Sequence, residues 1–316
     1  MRLGLAGDTM LGRGVAEALT ASAPESLVSP ALVEIAREAD LLVLNLECCI
    51  SDQGRPWPDP GKPFFFRAPP EAVDLLLHLG VDCVTLANNH ALDYGEEALL
   101  DTLARLRAAG IEPVGAGADV REARRPVVLE AAKRRLAVVG ASDHPADFAA
   151  GPSRPGVALA DFREGAPGWL ADAIANVEAD AVLVTPHWGP NMAPAPRPYV
   201  RAAAAALRAA GATLVAGHSA HVFHGVEEGI VYDLGDFLDD YAVDGVLRND
   251  LGLFFLVDLD ERGPTRIEAL PLKLEYCHTR AAEGADAARI RSRFRQACAE
   301  FGADVEENTG RLVVRW

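Results

Sequence analysis

Short apolar runs alternate along this chain with longer segments whose apolar positions recur every three or four residues. Leu3–Ala6, Leu41–Leu44, Val81–Leu86, Ala181–Val184 and Ala212–Val215 have strand length. Val15–Thr20, Leu32–Ala39, Pro70–Leu79, Glu96–Ala109, Trp169–Val177 and Pro198–Ala210 read as helices, with a further short strand at Ile111–Val114. The alternation predicts a mostly parallel sheet with helices outside it. From Val222 the pattern changes to Val222–Val226, Ile230–Asp233, Leu251–Val257 and Arg266–Leu272, strands joined by turns such as Glu228-Gly229 and Arg262-Gly263-Pro264. These predict antiparallel hairpins closing a second sheet. Val127–Leu129 and Leu136–Val139 form another hairpin around Lys133-Arg134-Arg135, and Ala285–Phe301 is a helix followed by the strand Leu312–Val314. No linker or repeat divides the chain, so one domain over residues 1–316 is expected, with 285–316 as a C-terminal extension.

Polar residues cluster where these strands end. Gly7-Asp8, Asn45-Leu46-Glu47, Asn88-Asn89-His90-Ala91-Leu92-Asp93, His187-Trp188-Gly189 and Gly217-His218-Ser219-Ala220-His221 each follow an apolar run. Ligands of α/β sheets gather at the carboxyl ends of strands. A series of Asp, Glu, Asn and His arriving there is a donor set for divalent cations, and a carboxylate such as Glu47 can bridge two of them. Taken singly, Gly7-Asp8 is a turn, Asn45 and Glu47 an edge pair, and Asn89-His90 with Asp93 a helix entry. Two proline-rich segments, Ser51–Pro70 and His187–Pro198, are expected as loops over the site.

Charge and composition narrow the partners. The formal net charge is −16 over 316 residues, which argues against nucleic acid or anionic lipid as the main partner. Anionic substrates stay open, because bound cations reverse the field locally. The five cysteines, Cys48, Cys49, Cys83, Cys277 and Cys298, contain no CxxC pair and predict neither disulfides nor a zinc knuckle. The chain reaches Asp8 too soon for a signal peptide or anchor, and Arg208 interrupts the apolar run Ala202–Ala210. A cytoplasmic location with no membrane partner is expected. Oligomeric state is not legible.

The order of motifs resembles the CapA/PgsA-like family of capsule and poly-gamma-glutamate synthesis, within the calcineurin-like metallophosphoesterase superfamily. The matching residues are Gly7-Asp8-Thr9-Met10-Leu11-Gly12-Arg13, Asn45-Leu46-Glu47, Asn88-Asn89-His90 with Asp93 and Gly95, His187-Trp188-Gly189, Gly217-His218 with His221-Val222, and Tyr232-Asp233-Leu234-Gly235-Asp236-Phe237. The resemblance implies a four-layer α/β/β/α sandwich with a dinuclear site whose ligands are Asp8, Glu47, Asn89, His187, His218 and His221. The chain departs from the superfamily's pattern in having Met10 in place of a histidine, Glu47 in place of a bridging aspartate, and a stretched Gly217-His218-Ser219-Ala220-His221. Asn191, Asp233 and Asp236 are also unlike the family's usual residues. A mixed oxygen and nitrogen set suits Mn, Fe or Zn, with Mg or Ca as the harder alternatives.

Three functions fit. In the first, two divalent cations serve hydrolysis of a phosphoester, with His90 as proton donor, Asp93 orienting it, and Arg67 (or Arg13) clamping the anion. Arg67 reads equally as a surface ion pair; for His90 a cap or core hydrogen bond is the lesser alternative. In the second, a cation acidifies a peptide α-hydrogen for epimerisation, as in a family relative that inverts the C-terminal residue of a lasso-peptide precursor. His90, His221, His224 and His278 are then the available bases. In the third, the chain is a non-catalytic scaffold of polymer synthesis. Asp236, Asp239, Asp240, Asp244 and Asp250 are expected as a solvated acidic loop, with Asp236 the exception facing the site.

Overall fold

The computed structural model describes residues 1–316 and contains two stacked sheets. The ten-stranded sheet has a parallel heart, Arg2–Thr9, Leu41–Leu46, Cys83–Thr85 and Glu112–Val114. The six-stranded sheet runs parallel through Arg134–Ser142, Ala181–His187, Leu214–Ala216 and Ile230–Val231. The strand–helix alternation is therefore divided between two sheets, with the chain changing sheets after Glu112–Val114.

Side-chain alternation builds the layers. Leu3, Leu5, Leu41 and Val43 point into one core with Leu136, Val138, Ala181 and Leu183 of the other sheet. Their neighbours Ala6, Leu42 and Leu44 point the opposite way, onto the helices Arg13–Ala21, Pro30–Ala36, Ala72–Leu79 and Gly95–Ala108. Ala137, Val139, Val182 and Val184 likewise meet the helices Gly168–Asn176 and Pro198–Ala209. Period-two patterning on both faces of each sheet gives the order helix, sheet, sheet, helix. Each fully buried leucine in these cores contributes about 1.5–3 kcal/mol. Local signals set the ends: Gly80 closes Ala72–Leu79 at φ +77°, a left-handed position a side chain resists, and prolines start Pro30–Ala36 and Pro198–Ala209.

The late strands differ from expectation. Leu251–Leu259 and Pro264–Glu275 form a hairpin, but it joins the first sheet, antiparallel to Arg2–Thr9, rather than closing the second. Leu253, Phe255 and Val257 continue the apolar inner face beside Leu3 and Leu5, which favours that edge. Val222–Gly225 is not strand; only Val226–Glu227 pairs, with Ile230–Val231. The helix Gly284–Ala299 packs Ile290 and Phe294 against the inter-sheet core, and Arg311–Arg315 pairs with Pro264–Glu275. No helix is long and apolar enough to cross a membrane.

Candidate metal centre

One irregularity in the first strand creates the site. The register of Arg2–Thr9 against Leu41–Leu46 shifts between Ala6 and Asp8, a bulge at Gly7. Ala6 faces the helices, so regular alternation would send Asp8 there too. The bulge turns Asp8 to the inter-sheet side instead, level with Asn45 on one neighbour and Asp236 on the other. Gly7 is required for it: a Cβ there would lie 1.8 Å from the Gly235 carbonyl oxygen. From the opposite sheet, His187 continues the inward parity of Leu183, and an isolated bridge pairs it with His218. Residues from both sheets thus converge at the carboxyl ends of their strands.

Two sets of three potential ligand atoms, each mutually within 4.8 Å, result: Asp8 with His221 and Asp236, and Asp8 with Glu47 and His187. Asp8, not Glu47, is common to both. His221 Nδ1 lies 2.8 Å from Asp236 Oδ1 and 3.4 Å from Asp8 Oδ2, and His187 Nε2 lies 3.6 Å from Glu47 Oε1. Around them is a fixed frame. Asn45 Nδ2 donates to Asp8 Oδ1 at 2.8 Å, Asn88 Nδ2 donates to Asn45 Oδ1 at 2.9 Å, and His218 Nδ1 is 3.1 Å from Asp8 Oδ1. The Tyr241 hydroxyl donates to Glu47 Oε2 at 3.4 Å.

The donor set fits divalent cations. Glu47 Oε1, Asn89 Oδ1, His187 Nε2 and Asp236 Oδ2 are buried and have no hydrogen-bond partner, although buried polar atoms are nearly always satisfied. Asp8, Glu47, Asp233, Asp236 and Asp239 are all buried, and none pairs with a lysine or arginine. Burial, then the nearby Asp8 charge, holds the Glu47 carboxyl well above its ordinary range. Burial, then Asp239 and Asp8, does the same to Asp236. Burial also opposes the charge of Asp8, but its hydrogen bond to His218 and the neighbouring imidazoles outweigh it and hold Asp8 below the usual range. Burial pushes His187 well down toward the neutral, ligating form. Cations are the counter-charge this cluster lacks.

His90 stands beside the cluster without joining either set. Its Nδ1 is 2.7 Å from Asp93 Oδ2, while Asp93 is held by the Phe66 N–H at 2.6 Å and by Lys62 Nζ at 2.9 Å. The other face of the imidazole packs on Phe66, ring centroids 4.1 Å apart.

The predicted residues are otherwise distributed as follows. Asp8, Glu47, His187 and His221 meet; His218 supports Asp8; Asn89 offers its free oxygen nearby in sequence to His90. Arg67 is not at the site. It sits on the two-residue strand Arg67–Ala68, and alternation sends Phe66 inward and Arg67 outward over Tyr94, 4.2 Å from its ring centroid. Arg13 takes the position beside the cluster, ion-paired with Asp240. His278 is also elsewhere, one-third exposed on the hairpin strand His278–Ala281 and 3.8 Å from Glu275. The acidic stretch is not a solvated loop. Asp236 lies on the strand Asp236–Leu238, Asp240 pairs with Arg13, Asp250 pairs with Arg248 and Lys273, and only Asp244 caps an exposed turn. Asp236 as part of a ligand set, Asn45, Lys62 and Tyr241 were not assigned from the sequence. The cysteines are free and buried.

Two sheets flanked by helices, with the cluster at their carboxyl edge, make the fold that of a calcineurin-like metallophosphoesterase. A crystal structure described as a novel phosphatase from Mycoplasma pneumoniae superposes over 86% of this chain and 93% of that one, with a TM-score of 0.52 and 14% identity. At family level the match is direct: the model of the bacterial capsule synthesis protein PGA_cap covers residues 2–241, and the chain belongs to that family. A protein of Mycobacterium tuberculosis named "probable polyglutamine synthesis accessory protein" is 34% identical over 294 residues, 87% of this chain and 76% of the relative. The "PGA biosynthesis protein CapA" of Bacillus subtilis is 29% identical over 274 residues, 85% and 70% of the two chains.

Proposed function

We propose that this protein is a metal-dependent phosphoester hydrolase that uses two divalent cations. The observation that carries the proposal is Asp8, one carboxylate common to two convergent ligand sets. Asp8, Asp236 and His221 would hold one cation, and Asp8, Glu47 and His187 the other, with His218 beside Asp8. When bound, such a pair supplies a nucleophile at neutral pH and neutralises charge developing on the phosphoryl oxygens. The mixed donors suit Mn, Fe or Zn.

The chain's own residues supply the rest. His90, its Nδ1–H held by Asp93, would deliver a proton from Nε2 to the departing oxygen as the imidazolium, a form that burial disfavours and the Asp93 carboxylate favours. Lys62 and the Phe66 N–H fix Asp93, so the imidazole cannot rotate freely. Tyr241 steadies Glu47, and Asn45 steadies Asp8. Epimerisation is less well supported, because it needs an acid and a base flanking the substrate carbon. Of its candidates, His221 is in a ligand set, His224 is tied to the Ala193 carbonyl, and His278 lies on an outer hairpin. A purely accessory role in polymer synthesis, as the name of the mycobacterial relative describes for it, gives no reason for four unpartnered buried donor atoms. Five free, buried cysteines suit the reducing cytoplasm, where we place the chain.

Replacing His90 by alanine tests the assignment. On an alkyl phosphate, kcat should fall about 10²–10⁴-fold. On p-nitrophenyl phosphate the loss should be much smaller, since nitrophenolate departs without a proton. Equal losses on both substrates would remove His90 as proton donor; no turnover of these monoesters or of bis-p-nitrophenyl phosphate by the metal-loaded wild type would remove the hydrolase.

A further inference from the structure

Two cavities flank the metal centre, and their walls differ. One, about 410 Å³, is lined by His90 and His221 with Phe64, Phe66, Tyr241 and Met192. Its only charged side chains, Arg13 and Asp240, neutralise each other. The Arg13 guanidinium lies 5.4, 5.0 and 5.5 Å from the ring centroids of Phe64, Phe66 and Tyr241, so the wall is a set of flat surfaces without net charge. Phe64 is 53% exposed, so its ring is open to a ligand at the cavity wall.

The other cavity, about 480 Å³, lies on the His187 side. His144 lines it, its ring centroid 5.4 Å from that of His187, and is paired with Asp143. Asp143 is committed to the fold, accepting from the Gly189 N–H at 3.0 Å and the Tyr199 hydroxyl at 3.2 Å. Arg163, which pairs with no carboxylate side chain, and Asp161 complete a wall of donors and acceptors. Asn191 lines both cavities, so they meet at the loop that follows His187.

We infer that the substrate spans the centre as a phosphodiester with two unlike arms, an apolar planar arm against the wall that holds Phe64, Phe66 and Tyr241 and a polar, hydrogen-bonding arm beside His144 and Arg163. This rests on the hydrolase reading and specifies its substrate class. A monoester would leave one cavity to water. Because His90 lines the apolar side, the apolar arm departs: a bond forms from water oxygen to phosphorus, and the phosphorus–oxygen bond to that arm breaks. One water proton ends on the departing oxygen by way of His90 and the other goes to solvent, leaving the monoester of the polar arm.

Calorimetry with non-hydrolysable phosphonates on the Mn-loaded chain reads the cavities without turnover. Glyceryl benzylphosphonate should bind about tenfold tighter, about 1.4 kcal/mol, than either methyl benzylphosphonate or glyceryl methylphosphonate. Phe64→Ala should erase the benzyl gain alone, and Arg163→Ala the glyceryl gain alone. If the glyceryl group adds nothing, or neither variant separates the arms, the two-armed substrate is overturned. With turnover, kcat/KM for an aryl glyceryl phosphate should exceed that for the aryl monoester, and the reverse order overturns it too. Arm-selective binding with no hydrolysis of either ester would defeat the hydrolase reading alone.

Discussion

Gly7 is the residue on which the site depends. It carries no chemistry, yet its bulge is what turns Asp8 toward the histidines of the other sheet. Gly7→Ala would drive a methyl group onto the Gly235 carbonyl, so the strand must shift. The expected result is a loss of about 1–3 kcal/mol in urea unfolding together with weakened metal binding. Unchanged metal affinity would show that the bulge does not set Asp8. At this scale the sequence was informative wherever a donor directly followed an apolar strand. Asp8, Glu47, His187 and His221 were legible because position at a strand end is a local property. Asp236 was expected to face the site but not to join a ligand set, because that depends on pairing with a strand more than two hundred residues earlier. Arg67 and Phe66 show a second limit. Both sit in the same loop, and only the parity of a two-residue strand decides which of them faces inward.

At the scale of elements, helices and parallel strands were readable from periodicity, while the partner of each late strand was not. Leu251–Leu259 is apolar on both faces, which tells that it is central but not in which sheet. Its pairing with Pro264–Glu275 is reinforced at the far edge by Glu268. Burial opposes that carboxylate's charge, but Arg311, Arg2 and Arg266 outweigh it and hold the group below its ordinary range. Arg2 and Arg311 each reach it at 2.6 Å, tying Arg2–Thr9 and Arg311–Arg315 to the hairpin. A lowered folded pKa gives stability that is present above the unfolded value and lost as pH falls through the folded one. Glu268→Gln should therefore cost about 1–3 kcal/mol at pH 7, and the gap from wild type should narrow toward pH 3.5. A gap that stays constant, or widens in acid, would contradict the ion-pair account.

For the whole molecule, the cluster joins the two sheets. Asp8, Glu47 and Asp236 come from the first, and His187, with the loop carrying His218 and His221, from the second. Cations held there would bind the folded chain only. Free metal at a hundred times its dissociation constant adds about 2.7 kcal/mol. Chelation should lower Tm by several degrees, and restoring Mn or Zn should recover it. The four-layer arrangement was legible from motif order, whereas the cavities on either side depend on loops whose paths the sequence does not specify. Phe64, Asn191 and Tyr241 come together only once both sheets are in place.

In the proposed centre one carboxylate, Asp8, serves two cations. Metal content by elemental analysis, measured on the wild type, Asp236→Asn and Asp8→Asn after equilibration with Mn, tests it most directly. About two metals are expected per wild-type chain, about one in Asp236→Asn, and none in Asp8→Asn at concentrations that fill the wild type. An Asp8→Asn protein that is folded and still holds both metals would contradict it, as would a wild-type chain that binds none.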